Sequence, residues 1–564
     1  MKNKLFFFLI TNLMFSQTID LNKSHIENYL RYNILKGKIE SKYTFTQRPI
    51  NINFINFLNK DESLLNNYSK TILSNKKKSF KIDLLPIDYI LDYNSQFPYN
   101  RNNGSMIPNR GYQHIISTGF FFKIGPLSIK FNPEHHYSEN LDFDGFWEGH
   151  QSVIWASRYN LWNTADLPEK FGNKRHNRLL TGQSSIRLNW KGISLGLSSE
   201  NIWWGPSVRN SIMMSNHSEG FKHISFNSTK PLETVVGNFE WQLISARLEP
   251  SKFLPPNIEK EHAGTKLYVP KINQNGVEND WRYMQALNLS FSPSIFKNNL
   301  TIGYIRWVQM YSYLLKGNYW WIDSRPSYFP IFNNLFRKND SNSDIEKQTD
   351  QAAGLYIKVK SPKIKAEFYA EYHYNDAKQN LRDLLLDTEH SRAITVGFQK
   401  LFEFKLSDLM INWEWTQMEQ SASRLVRNSG SWYAHAWVYH GYTNKGEVIG
   451  SGIGPGSNSN YIKVQRIKKN EILGVGFEVI DNDNDFYYEA FASSGDYRRQ
   501  WKDFNLHLTF EKKLNKIWLS TSFILNRSLN YQWELDDNIQ PYYHAGNDKN
   551  NFHSTIKVSY FFGK

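Results

Sequence analysis

Five stretches of the chain hold side chains that could do chemistry. His135-His136 beside Glu134 could bind a metal or serve a hydrolase, but no third ligand, and no nucleophile with an activating carboxylate, stands at a recognisable spacing. Glu367 and Glu371 could pass for a glycosidase pair. On a strand, residues two apart are already ~7 Å apart, so residues four apart lie beyond productive range. Asp481-Asn482-Asp483-Asn484-Asp485 resembles the opening of a calcium loop, yet Phe486 stands where such a loop needs Gly and Ala492 where it needs a bidentate Glu. A hairpin turn with acidic side chains is expected there. The Gly450, Gly452, Gly454 and Gly456 run imitates a dinucleotide-binding loop, but Pro455 and the polar Ser457 to Asn460 oppose the helix that must follow. A loop with close backbone approach is expected instead. The fifth set suits sugar: Trp203, Trp204 and Arg209 around Gly205-Pro206, with Trp437 and Tyr442 farther on. Pyranose C–H faces pack on aromatic rings, and a guanidinium pairs with uronate or phosphate. Packing of Trp203 and Trp204 in an interfacial girdle or a plug is the competing reading. No catalytic residue, metal or cofactor is expected.

Strands must position these residues. From about His114 onward apolar residues recur with period two, most clearly at Ile364, Ala366, Phe368, Ala370, Tyr372 and Tyr374, with Lys365, Glu367, Tyr369, Glu371 and His373 between them. That is the ~9–11 residues of a tilted membrane strand, apolar outward and polar inward. The same alternation marks Leu473/Val475/Phe477/Val479 and the closing Phe552 to Phe562. The fold class read from it is all-β: a transmembrane antiparallel β-barrel of about 18 strands. Stretches near 135–183, 203–236, 250–280, 316–350 and 419–460 are too long for tight turns and read as surface loops or lumen-filling segments.

Ahead of the strands, Lys2 and Lys4 precede an apolar run from Leu5 to Phe15, the pattern of a secretory signal peptide over residues 1–16. Ile26, Leu30, Ile34 and Leu35 then fall at helical spacing. Residues 17–96 are expected to form a small, partly helical periplasmic segment, and residues 97–564 the barrel. A mean hydropathy of -0.58 and the lack of any long apolar run exclude a helical membrane protein but not a barrel. Aromatic residues make up 16% of the chain, more than a soluble core needs, and interfacial girdles use them. With no cysteine, disulfides and thiolate chemistry are excluded. The formal charge of +14 on an exported chain points to lipopolysaccharide or acidic glycan as partner rather than nucleic acid.

Two segments carry a family likeness. Glu200 to Asn216 (ENIWWGPSVRNSIMMSN), followed by Lys230-Pro231, resembles the Trp-Trp-Gly-Pro segment of the capsule-assembly Wzi family, and Gly441 to Asn460 (GYTNKGEVIGSGIGPGSNSN) resembles the glycine-rich segment of its Bacteroidetes-type members. Asn103-Gly104, Arg110-Gly111, Pro133-Glu134, Asp350-Gln351, Arg382-Asp383 and Glu389 to Ala393 fall in the same order, so the likeness spans roughly residues 97 to 564. It implies an outer-membrane barrel in a Gram-negative cell that binds surface or capsular polysaccharide in a lectin-like, non-catalytic way, supports capsule or exopolysaccharide assembly and works beside polysaccharide export proteins. The competing functions are a porin-like channel or transporter, distinguished by lumen conductance, and an outer-membrane lipid or glycan hydrolase, distinguished by turnover.

Overall fold

The computed structural model describes residues 17–38, 42–51, 68–76, 79–316, 329–332, 348–375, 378, 380–492, 495–535 and 543–562. The signal peptide expected over residues 1–16 lies outside them.

One large antiparallel sheet of 24 short and long ladder segments dominates the chain. From Arg282–Pro293 onward successive long strands pair as neighbours, through Leu300–Tyr311, Thr349–Ser361, Ala366–Asn375 and Arg392–Glu403 to Ile517–Leu529 and Lys549–Tyr560. The last of these pairs back onto Ile87–Asn94, with Ile556 opposite Leu91. The sheet begins before the boundary expected at residue 97, because Phe80–Leu84 and Ile87–Asn94 already belong to it.

Each strand forms where the period-two pattern allows one face to be apolar and the other polar. Leu473, Val475 and Phe477 stand exposed on one face, while Glu478, Asn505 and His507 are buried behind the other. In Ala366–Asn375, Phe368 faces out, and Glu367, Tyr369, Glu371 and His373 face in. Ile364 and Lys365 fall outside that strand: Lys365 has φ +53° in the turn from Pro362, so the strand is shorter than the sequence pattern suggests. The two ends of the sheet differ. At one, tight turns join the strands, as at Lys469-Asn470 and Asn515-Lys516, where Lys469 and Asn515 take the positive φ that two-residue hairpins require. At the other, the long connections carry the helices.

The N-terminal segment packs against the polar face. Helix α1 (Ser24–Leu35) sets Arg31 against Glu367 at 3.4 Å, and Tyr32 donates to Asp408. Lys130 sits among Asp20 and Glu200, and Lys358 donates to Thr44 O at 2.9 Å. Helix α2 (Ser152–Thr164) and helix α4 (Asn484–Phe491) pack together at the long-loop end, and the short helix α3 (Leu381–Leu386) is tied to Arg427 through Asp383. Trp155, Tyr159, Phe146, Phe486 and Trp533 form the core between α2 and α4.

Candidate functional site

The Trp-Trp-Gly-Pro segment turns inward. Trp203 and Trp204 pair with Arg48 and Gln47, and Gly205 at φ +88° brings the backbone against Glu371, where a Cβ would lie 2.6 Å from Oε1. The amides that follow then point at carboxylates of the sheet. Ser207 N–H donates to Glu371 at 2.9 Å, while the N–H groups of Val208, Arg209 and Asn210 converge on Glu414 at 2.6–3.2 Å. Tyr369 donates to the same carboxylate at 2.6 Å. The segment is an anion-binding turn already filled by the protein's own acids.

Four of the five residues expected to touch sugar have partners inside the protein. Trp204 is fully buried, and its indole N–H donates to Gln242 at 2.8 Å. Trp203 is buried beneath the Arg48 guanidinium, 4.9 Å from the ring centroid, and donates to Ser207 O. Tyr442 stacks on Trp307 at 4.0 Å and donates to Met213 O at 2.7 Å. Arg209 is committed to Glu478 at 2.8 Å and to the Tyr99 hydroxyl at 2.7 Å. Trp203 and Arg209 share the wall of an internal cavity of about 280 Å³, whereas Trp204 and Tyr442 belong to the core that holds the inward loops together. Trp203, Trp204 and Tyr442 are buried, and Arg209 is half-buried. The glycine-rich run meets this core as expected, by close backbone approach: a Cβ on Gly450 would lie 2.2 Å from Ile212 O.

Trp437 alone among the five stands open, 39% exposed, at the long-loop end. It borders a cavity of about 630 Å³ walled by α2, by residues 428–437, by the start of α4 and by Asn375. Sequence reading missed the residues around it. Ser157, Asn160 and Thr164 reach the cavity because Trp155, Tyr159 and Trp162 bury the opposite side of α2, and that i, i+4, i+7 spacing was a readable helix signal inside a presumed loop. His435 left no sequence signal. Its Nδ1 accepts from the N–H groups of Trp437 and Val438 at 3.2 and 2.9 Å, so the ring proton belongs on Nε2.

The acidic run expected as a hairpin turn caps α4 instead. Asp483, at φ +41°, accepts from Phe486 N–H at 3.2 Å and holds Arg158 at 2.7 Å. Asp485 accepts from Gln420 N–H at 2.8 Å, and burial pushes its carboxyl up to about 7. Among the described residues no group of three or more His, Asp or Glu is placed to hold a metal. Glu367 is paired with Arg31 and Lys358, Glu371 with His373, and His136 is buried on its strand.

A sheet with one bare apolar face and one polar face packed by its own loops defines the class: a β protein that meets lipid with its outer surface. The particular family is fixed by the sequence, for residues 102–520 match the model described as capsule assembly protein Wzi, and the chain belongs to that family. No curated protein matches it. Its fold is that of a solved structure described as Wzi, an outer membrane protein involved in group 1 capsule assembly in Escherichia coli and a carbohydrate-binding beta-barrel. The two chains are 12% identical over 97% of this chain and 100% of that one, with a TM-score of 0.59. OprD of Pseudomonas aeruginosa (8% identity, 85% and 96% covered) and OccAB2 of Acinetobacter baumannii (8%, 85% and 98%) also align, each with a TM-score of 0.38.

Proposed function

We propose that the protein is an outer-membrane β-barrel of about eighteen strands that binds surface polysaccharide at its long-loop end and supports capsule or exopolysaccharide assembly without catalysing a reaction. Closure is supported by the pairing of the last strand with Ile87–Asn94. The count follows if the short consecutive segments between residues 80 and 190 are read as four strands bent at their middles, Leu232–Glu233 as the continuation of His223–Ser228, and Lys70–Ser74 as an added segment that pairs with Phe80–Leu84. With the tight turns toward the periplasm, residues 17–38 and 42–51 form a plug at that end, and the bare apolar face meets lipid and lipopolysaccharide. The Glu371 and Glu414 latch, which holds residues 203–217 across the interior, weighs against an open pore. Carboxylates tied to backbone N–H groups or ion pairs are poorly placed to act as acids or bases, which supports a non-catalytic role.

The observation that carries the reading is the cavity beside Trp437: an exposed aromatic face beside a run of amides and hydroxyls, on a packed scaffold, at the end where the polymer would lie. Purified protein should retain the polysaccharide of its own cell in a pull-down, and Trp437→Ala should lose it while remaining folded. Full retention by the folded variant would remove this cavity from the site.

A further inference from the structure

Resting on the reading of the Trp437 cavity as the glycan site, we infer that this cavity takes an uncharged stretch of the polymer. Among the described residues lining the cavity there is no lysine or arginine. Its polar groups are amides and hydroxyls such as Asn160, Asn428 and Ser431, with His435, and among the described residues its carboxylates are Asp483 and Glu489. The nearest arginines are committed elsewhere. Arg158 lies on Asp483 at 2.7 Å and 5.1 Å from the Trp162 ring centroid, Arg424 covers the Tyr488 ring at 3.6 Å, and Arg427 holds Asp383 at 2.5 Å.

A uronate or phosphate entering here would give up water without meeting a cation and would face Glu489, which takes only the Asn160 amide at 2.5 Å. Like charges set against each other in a partly dry site reject a ligand as effectively as a clash does. A neutral sugar meets no such cost: its C–H face covers Trp437, and its hydroxyls accept from His435 Nε2–H and exchange hydrogen bonds with the amides. The volume of about 630 Å³ suits a few sugar rings rather than one.

Exposed cations occur in the long loops outside this cavity, as at Lys174, Arg175 and Lys252, and many others lie farther away. Lys191, Lys297, Lys363, Lys405, Lys468 and Lys469 are exposed at or beside the tight turns, at the opposite end of the sheet from Trp437. Lys23, Lys130, Arg31 and Lys358 are buried against the interior acids Asp88, Glu200, Glu27 and Glu367. Net charge thus says little about the loops, and the acidic glycan expected from +14 loses its basis at this cavity.

The test uses the full protein in detergent and the polysaccharide of its own cell, partly hydrolysed and separated by anion exchange into uncharged and acidic fragments. Uncharged fragments should bind about tenfold more tightly than acidic ones, with little change as salt rises. Glu489→Gln should narrow that gap by admitting acidic fragments. Preferential retention of acidic fragments, or binding that collapses with salt, would overturn the assignment while leaving the cavity as the site, provided Trp437→Ala still abolishes retention. Binding untouched by Trp437→Ala would overturn the cavity as the site, and this inference with it.

Discussion

If the Trp-Trp-Gly-Pro segment is a latch, cutting it should open the interior. Glu414 is the most informative cut, because three backbone N–H groups at 2.6–3.2 Å and the Tyr369 hydroxyl at 2.6 Å all end on its carboxylate. Glu414→Ala leaves those donors buried without an acceptor, at about 1–3 kcal/mol each. Non-additivity and local water entry reduce the total, so about 3 kcal/mol is a conservative cost for the latched state. That raises the population of unlatched molecules about a hundredfold. Adding Glu371→Ala removes the contact to Ser207 N–H and the acid against which Gly205 packs. In planar bilayers the wild type should show no steady current and the double variant bursts of conductance, with faster proteolysis within residues 203–217. Glu414→Gln, which keeps one acceptor oxygen, should fall between them. A double variant as silent and as protected as the wild type would refute the latch.

Other perturbations separate the roles of individual residues. Trp204→Ala should cost about 3–5 kcal/mol of stability as a fully buried aromatic, read as a lower unfolding temperature, while Trp437→Ala leaves that temperature unchanged. Phe368→Arg should cost about 2–4 kcal/mol on refolding into lipid if its exposed face meets the bilayer midplane, whereas Lys363→Ala in the adjacent turn should cost little. Asp485 binds its proton more tightly folded than unfolded, with about 7 against the usual 3.8. Its favourable contribution is therefore complete below the unfolded value and is lost as pH rises through about 7, a swing of order 4 kcal/mol at most. Hydrogen exchange of residues 420–437 should accelerate across that window, and Asp485→Asn should flatten the dependence.

Much of the sheet was legible because a strand with one face in lipid must alternate, and Phe368 against Tyr369 shows that alternation directly. The positions of the inward loops were not. Trp203, Trp204 and Tyr442 sit in stretches rich in Gly, Asn and Ser, and local composition cannot tell a loop that reaches solvent from one that folds back and is buried by the sheet around it. Arg209 is a related case: a guanidinium that suits an acidic ligand suits Glu478 equally, and only the tertiary fold shows that internal partner. Helix α2 is readable from the spacing of Trp155, Tyr159 and Trp162, although the length of the surrounding stretch reads as a loop. His435 could not have been found, since its tautomer and aim depend on the two amides that happen to cap it.

Attachment of polysaccharide to the cell surface by this protein is tested most directly by comparing cell-bound with released polymer in a strain that lacks it. Total polysaccharide should be unchanged while most of it moves from the cells into the medium, and restoring the wild-type chain, but not Trp437→Ala, should return it to the surface. Polymer that stays on the cells of the deletion strain, or synthesis that stops altogether, would contradict the account.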